Sequence, residues 1–220
     1  MHRMLERHGF ASHSLNDGNV LWVGALPDPL RLSATQFEAL WNLKPDASQT
    51  VLMFGRPQEI PRKQQAYGAD YRFSGQTSVA LPVPELLLPF LTWAKETTDD
   101  RLNGLLLNWY DGALGHYIGQ HRDSRSNLIK GSPIVTISHG EERSFQLKPW
   151  KRPGVTHRFA SRDGTVFVMP FQTNLDWTHG VPVSRSQTGR RISVTLRAFV
   201  MKQVPDQVGI RGSSTSSGRR

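Results

Sequence analysis

The spacing of apolar residues divides the chain at about residue 100. Before that point, residues 33–41 and 85–97 place apolar side chains on one helical face, and Ser33 suits an N-cap. Short apolar runs at residues 20–23 and 51–54 predict strands. We therefore expect helices and a few strands in the first part of the chain.

After residue 100 the pattern changes to short apolar runs between turns, at residues 105–110, 134–138, 144–147, 165–169 and 191–199. Such spacing predicts an all-β sandwich or barrel. Residues 1–19 are expected to be irregular, and the Ser/Gly-rich basic tail, residues 203–220, is expected to be disordered. Residues 20–202 would form one domain, in which an extension (20–100) precedes a β-rich core (101–202).

One run near the C-terminus alternates strictly between polar and apolar residues. Its two faces are Arg191, Ser193, Thr195 and Arg197 on one side and Ile192, Val194 and Leu196 on the other. One interpretation is a strand with a solvent-facing side. The other is a ligand site, because two guanidinium groups about 20 Å apart along a strand suit a ligand with a carboxylate at each end; a small diacid such as 2-oxoglutarate fits if it bridges part of that span. The sequence leaves both open.

A second pattern, His121-Arg122-Asp123, carries candidate metal ligands. Side chains two residues apart point to the same side of an extended segment, so His121 and Asp123 can bind one ion. A distant histidine would complete the two-His, one-carboxylate set of non-haem Fe(II) oxygenases. The alternative is a surface pair at a strand end.

Among the eight histidines, His179 is the preferred third ligand, because it follows an aromatic-rich turn and precedes a proline. His139 forms a second H-x-acid pair with Glu141, but charged neighbours there predict a solvated turn. The others are less suitable by position: His2, His8 and His13 precede the β-rich part, His116 is offset from His121 by an odd number, and His157 lies in a basic loop.

Composition narrows the chemistry further. There is no cysteine, so any metal must be held by His, Asp or Glu. Lys and Arg number 27 against 18 Asp and Glu, giving a net charge of +9. This charge is typical of a protein that binds a polyanion such as nucleic acid, but it is equally compatible with a basic soluble protein that has no such partner. Without a long apolar run or a signal-peptide pattern, we expect an intracellular protein that does not enter membranes.

The motifs in this order resemble the AlkB family of Fe(II)/2-oxoglutarate dioxygenases. The matching core elements are Asn108-x-Tyr110, His121-x-Asp123, Gly131-Ser-Pro-Ile134, His179 and Arg191-x-x-x-Thr195-x-Arg197. Upstream, Met53-Phe-Gly55, Pro61-Arg-Lys-Gln64 and Tyr71-Arg-Phe-Ser-Gly75 are similar to the nucleotide-recognition lid of the family's duplex-DNA repair demethylases.

This resemblance implies a mainly β fold with flanking helices (α+β) and a double-stranded β-helix, or jelly-roll, core. It implies Fe(II) held by His121, Asp123 and His179, with 2-oxoglutarate and O2 as cosubstrates. The residues implied around 2-oxoglutarate are Arg191 and Tyr110 at the distal carboxylate and Arg197, Asn108 and Thr195 near the chelating end. The implied reaction oxidises an N-methyl group in nucleic acid, DNA being favoured over RNA, and releases formaldehyde; a monomer is expected.

The lid segment supplies the candidate substrate contacts. Tyr71 and Phe73 are spaced to share a face and could stack on a base flipped out of its duplex, with Ser74 beside them. Phe54 could fill the gap left by that base or pack in the core. Positive side chains, namely Arg56, Arg62, Lys63 and Arg72, would contact phosphates without reading sequence.

One departure from the family pattern concerns base recognition. Arg125 lies two residues after Asp123, where the family's demethylases commonly carry an acidic residue. A guanidinium cannot accept a hydrogen bond from an exocyclic amine, so Arg125 is expected to meet a phosphate, a carbonyl-bearing base or an acidic small molecule. An acidic substitution there would shift preference toward methylated adenine or cytosine. An RNA demethylase, an oxygenase of small molecules or amino acids, and a binding module with an inactive metal site are the alternatives.

Overall fold

The structure is a computed structural model that describes residues 1–16, 18–53, 55–73 and 75–200. Phe54, Ser74 and the tail from residue 203 onward, all named above, lie outside the described residues.

Strands dominate the described part of the chain. The helices are α1 His2–Arg7, α2 Ala34–Asn42, α3 Leu88–Thr97 and α4 Phe171–Asp176, with 3-10 turns at Asp28–Leu30 and Glu85–Leu87. The strands are β1 Ala11–Asn16, β2 Asn19–Ala25, β3 Thr50–Met53, β4 Arg56–Glu59, β5 Lys63–Tyr67, β6 Tyr71–Phe73, β7 Gln76–Ser78, β8 Gly104–Asp111, β9 Ile118–His121, β10 Ile134–Gly140, β11 Arg143–Pro149, β12 His157–Ser161, β13 Thr165–Met169, β14 Trp177–Val181 and β15 Arg190–Arg197.

Two antiparallel sheets form the body of the molecule. The major sheet has the order β1-β2-β13-β10-β15-β8-β5, and the minor sheet has the order β12-β11-β14-β9. The hairpins β3–β4 and β6–β7 form separate two-stranded sheets. This mainly β architecture with flanking helices is consistent with the expected jelly roll, and the antiparallel strands of both sheets agree with it.

Apolar side chains cover both faces of the major sheet. On one face α1, α2 and α3 contribute Leu5, Leu40 and Phe90 to a core shared with the sheet. On the other face Phe167 of β13 belongs to a core shared with Trp177 of the minor sheet. The major sheet is therefore a central layer, with helices on one side and the minor sheet on the other.

The alternation along β15 follows this layering. Its apolar residues lie in the core that contains the helices, whereas Arg191, Ser193, Thr195 and Arg197 line a cavity on the other face. All four polar residues are buried, with at most 6% of their surface exposed. The interpretation of a solvent-facing side is therefore wrong, and the polar stripe lies inside the protein.

The sequence predicted several elements at nearly their observed bounds. The strand expected at residues 165–169 is β13, and the helix expected from Ser33 is α2. Ser33 closes a capping box, since its hydroxyl accepts from the Gln36 N–H while the Gln36 side chain accepts from the Ser33 N–H. Elements without a long apolar run were missed, for example β5, which has the sequence KQQAY.

The expectation of an irregular N-terminal segment is wrong. Residues 1–19 contain α1 and β1, and β1 pairs with β2 at the edge of the major sheet. Leu5 and Leu15 are fully buried and anchor this segment to the two cores, which a short and mostly polar sequence did not reveal. Strands β2 and β5, from the expected extension, also belong to the major sheet.

His139 also departs from expectation. It was predicted to lie in a solvated turn, but it is 1% exposed on β10 and its ring lies 5.2 Å from that of Phe90. Burial lowers the pKa of His139 to about 4, so the imidazole is neutral at pH 7. None of the helices in the described ranges has the length and apolar character needed to cross a membrane.

Candidate active site

The three predicted metal ligands converge at one point. His121 ends β9 and His179 lies in β14, and the two are directly paired across these antiparallel strands. Their ring centroids are 4.3 Å apart. Asp123 follows β9, and its Oδ1 lies 3.6 Å from His121 Nε2 and 3.9 Å from His179 Nε2. The ligand atoms of all three residues lie within 4.8 Å of one another.

Neighbouring groups fix the orientation of these ligands. A proton on His121 Nδ1 donates to the carbonyl of Gly119 at 2.9 Å, which leaves Nε2 as the electron-pair donor. The Asp123 carboxylate accepts from Arg197 through Oδ2, at 2.6 and 2.9 Å, and from the Tyr71 hydroxyl through Oδ1, at 3.3 Å. His121 and Asp123 are therefore held before any metal binds.

The charge state of the site also suits a cation. Burial raises the pKa of Asp123, but the Arg197 charge and the histidines outweigh it, so the pKa lies well below its usual range. Burial, with the nearby His121 as a second cause, lowers the pKa of His179 to about 3. Burial and the Asp123 charge raise the pKa of Tyr71 and keep its phenol protonated. Two imidazole nitrogens and one carboxylate are the donors that Fe(II) accepts.

The residues expected around 2-oxoglutarate line the same cavity. Arg191 donates through Nη2 to the hydroxyls of Ser138 (2.9 Å) and Ser161 (3.1 Å), and its guanidinium lies 5.1 Å from the Tyr110 ring. Within the described part of the chain, Arg191 Nε and Nη1 and Arg197 Nη1 are buried without a hydrogen-bond partner. Buried donors of this kind require acceptors, and the carboxylates of a small diacid would supply them.

The cavity has a volume of about 580 Å³ and joins the ligand triad to the lid. Tyr71 and Phe73 of β6 line it, and their rings are stacked with centroids 5.6 Å apart and planes 16° from parallel. Arg62 also lines it, but its Nε donates to Asn108 Oδ1 at 2.8 Å. The structure therefore brings the expected metal, cosubstrate and stacking residues to one cavity.

Other predicted substrate residues lie elsewhere. Lys63 donates to the carbonyl of Asp46 (2.5 Å) and to the Ser48 hydroxyl (2.9 Å), away from the cavity lining. Arg125 is exposed and is not among the described residues that line the cavity, whereas its neighbour Ser124 is. Of the roles predicted for Arg125, this exposed position favours a phosphate contact over recognition of a base.

Several residues of this site escaped the sequence analysis. Asn174 of α4 accepts from the Asp123 N–H at 2.9 Å and donates to the Asp123 carbonyl at 3.2 Å, which fixes the backbone of a ligand. Ser138 and Ser161 hold Arg191, and their hydroxyl oxygens are 2.6 Å apart. A lone Asn or Ser gives no signal in a sequence, because each of these residues acts through contacts with segments that are distant along the chain.

A jelly roll that places two histidines and an aspartate beside buried arginines defines the class of non-haem Fe(II) oxygenases. Consistent with this, the family model of the 2OG-Fe(II) oxygenase superfamily matches residues 44–197. The chain belongs to that superfamily. Its cofactor is Fe(II), its cosubstrates are 2-oxoglutarate and O2, and the His121, Asp123 and His179 set fits the metal.

Similar proteins confirm the resemblance to the DNA demethylases of the AlkB family. The human "DNA oxidative demethylase ALKBH2" is 32% identical over 162 residues, which cover 69% of this chain and 61% of that protein. The mouse protein of the same name is 33% identical over 160 residues, covering 68% and 66%. The chain thus spans about three fifths to two thirds of these relatives. A solved structure of OsALKBH1 shares the fold, with a TM-score of 0.51 and 14% identity over 85% of this chain and 99% of that one.

Proposed function

We propose that this protein is an Fe(II)/2-oxoglutarate-dependent oxidative demethylase of N-alkylated bases in nucleic acid, and that it repairs alkylation damage in DNA. The relatives named DNA oxidative demethylase ALKBH2 support DNA as the polymer. The net charge of +9 favours a polyanionic substrate. RNA remains the second choice of polymer.

The observation that carries the proposal is the single cavity shared by three kinds of group. The ligand triad, the buried donors of Arg191 and Arg197, and the stacked rings of Tyr71 and Phe73 all line it. An iron ion, a keto diacid and a flat base could therefore occupy adjacent positions. A base inside a duplex must leave its stack to reach such a cavity.

Each part of the cavity has a proposed task. His121, Asp123 and His179 would hold the iron, Arg191 and Tyr110 the distal carboxylate, and Arg197, Asn108 and Thr195 the chelating end of 2-oxoglutarate. The loaded iron and its cosubstrates supply the oxidation that converts an N-methyl group to N-hydroxymethyl, which then loses formaldehyde. Asp123 and His179 are buried, whereas His121 is partly exposed, so a bound substrate would complete the exclusion of bulk water.

The lid would present the base. Tyr71 and Phe73 would stack on it, with Phe54 and Ser74 assigned to the same task from sequence alone. Arg56 and Arg72 are exposed on the two hairpins and would contact phosphates. Lys63 and Arg62, which bond to other protein groups, would act there only after a rearrangement of the lid.

The alternative of a small-molecule oxygenase drew its support from Arg125. Because that side chain is exposed and outside the described cavity lining, it gives no reason to prefer an acidic small substrate. An intracellular location is part of the proposal, since a repair enzyme must reach genomic DNA. A monomeric state is also part of it.

The proposal is tested by a screen of methylated oligonucleotides. The full chain, supplied with Fe(II), 2-oxoglutarate and O2, is incubated with single- and double-stranded DNA and RNA carrying methylated adenine or cytosine. Mass spectrometry should show loss of the methyl group, with matching amounts of succinate and formaldehyde. If every oligonucleotide stays methylated while 2-oxoglutarate is consumed with a small-molecule substrate, the proposal is wrong.

A further inference from the structure

A buried side chain outside the ligand sets, Gln64 of β5, connects the lid to the cavity. Its Oε1 accepts from Arg62 Nη2 at 3.0 Å, and its Nε2 donates to Gln49 Oε1 at 2.7 Å. Gln49 Nε2 in turn donates to the Ser78 hydroxyl at 3.2 Å. Only 1% of the Gln64 surface is exposed. These side chains form a continuous chain of hydrogen bonds from β7 to β5.

At its other end this chain reaches the cosubstrate wall. Arg62 uses Nε to donate to Asn108 Oδ1 at 2.8 Å, and Asn108 of β8 is buried and lines the cavity. Ser78 lies in the hairpin β6–β7, and Gln49 directly precedes the hairpin β3–β4. The chain of bonds therefore links both hairpins to one residue of the cavity wall.

The direction of every bond is fixed by Arg62. A guanidinium has donors and no acceptor, so both amides that face it must present their oxygens. For Gln64 this leaves Nε2 as the group that faces Gln49, and for Asn108 it leaves Nδ2 as the group available to a ligand. An asparagine without such a partner could present either its oxygen or its nitrogen.

That orientation matters because the expected ligand is an anion. An amide N–H stabilises a carboxylate or keto oxygen, whereas an amide oxygen repels it. We propose that Gln64 and Gln49 are positioning residues: by holding Arg62, they keep Asn108 turned so that its N–H group faces the chelating end of 2-oxoglutarate. This inference rests on the proposed function in one respect, namely that 2-oxoglutarate is the ligand of the cavity.

Binding of 2-oxoglutarate, measured by calorimetry on the full chain loaded with redox-inert Mn(II), tests the assignment. Gln64→Leu removes both bonds and should weaken binding roughly tenfold, as expected for a lost bond to a charged group. Gln64→Glu can still accept from Arg62 and should stay within about twofold of the wild type. In turnover, Gln64→Leu should raise the KM for 2-oxoglutarate and leave kcat at saturation nearly unchanged.

Gln65→Leu is the matched control. Gln65 is the next residue of β5, and its side chain donates to the carbonyls of Ala66 and Val79, so its loss should leave binding of 2-oxoglutarate unchanged. Equal weakening by Gln64→Leu and Gln65→Leu, or by Gln64→Leu and Gln64→Glu, would overturn the assignment.

A folding failure of Gln64→Leu and a failure of the wild type to bind 2-oxoglutarate have different consequences. If Gln64→Leu does not fold, Gln49→Met interrupts the same chain from a half-buried loop position and should weaken binding about threefold; wild-type affinity in that variant would also overturn the assignment. If the Mn(II)-loaded wild type binds no 2-oxoglutarate, the proposed function itself fails, whatever the variants do.

Discussion

One wall of the cavity is made by strands inside the two sheets, and the other by the hairpins β3–β4 and β6–β7, whose strands pair only within their own hairpin. The first, the sheet wall, carries the ligand triad and the arginines of β15. The second, the lid wall, carries Tyr71, Phe73 and the exposed strand β4. The walls differ in how their side chains are held.

Residues of the sheet wall cannot move without disturbing the core. β15 is paired on both sides, with β10 and β8, and its apolar face packs into the core that contains the helices. The hairpin β6–β7 instead contacts the sheet wall through the bond from Tyr71 to Asp123 and through a small apolar cluster that Tyr71 shares with Leu106 and Phe199. We infer that the chemical groups are preorganised and that the exposed strand β4 is the more adjustable part of the cavity wall.

The largest effect expected from the sheet wall is that of Asp123→Ala. Loss of the carboxylate removes a metal ligand, so formaldehyde release should fall to background, while nucleic-acid binding stays largely intact. The variant also leaves Arg197 buried without its partner, at a cost of about 3–5 kcal/mol in the free energy of unfolding. Turnover and fluorescence anisotropy with a labelled oligonucleotide measure the two functions separately.

The exposed residue Asp100 supplies the control for that variant. Asp100→Ala should retain both turnover and binding, because its side chain lies on the surface. Normal turnover by Asp123→Ala would refute the assignment of the metal site.

Two adjacent arginines give the next test of the sheet wall. Arg191→Met removes buried donors from the cavity and should raise the KM for 2-oxoglutarate about 100-fold. Arg190→Met is the control, because Arg190 points to the other face, where it pairs with Glu38 and lies 5.1 Å from the Trp41 ring. A similar KM in the two variants would contradict the assignment of Arg191.

Much of the sheet wall could be predicted from the sequence, for a physical reason. A strand alternates its faces, so the polar stripe from Arg191 to Arg197 and the His121, Asp123 pair could be read from spacing alone. Spacing could not show that the polar face is buried as well as the apolar one. The polar stripe is equally compatible with a solvent-facing surface and with a ligand site, and only the position of the minor sheet distinguishes the two.

The lid wall was less predictable. Its strands are short and mostly polar, so no apolar period marks β4 or β7. Family resemblance indicated Tyr71 and Phe73 correctly as neighbours in the cavity lining. It did not indicate that Arg62 bonds to Asn108 or that Gln64 holds Arg62, because such contacts depend on the packing of hairpins against a sheet.

A smaller effect is expected from the aromatic pair of the lid. Phe73→Ala removes one of the two stacked rings and should raise the KM for a methylated oligonucleotide roughly tenfold, since stacking contributes about 1–3 kcal/mol per base. The KM for 2-oxoglutarate should not change. Phe73→Tyr keeps the ring and should behave like the wild type; a tenfold loss in that variant would show that the ring does not act by stacking.

Arg125, which follows the ligand Asp123 by two residues and belongs to neither wall, provides the smallest and most discriminating test. Because its side chain is exposed and Ser124 is the neighbour that lines the cavity, Arg125→Glu should weaken oligonucleotide binding only about threefold and equally for methylated adenine and cytosine. Loss of a phosphate contact should also reduce the slope of log Kd against log salt by about one. Arg3→Glu, on α1 of the helical layer, should change neither quantity. A shift in preference toward methylated adenine or cytosine would instead show that Arg125 reads the base.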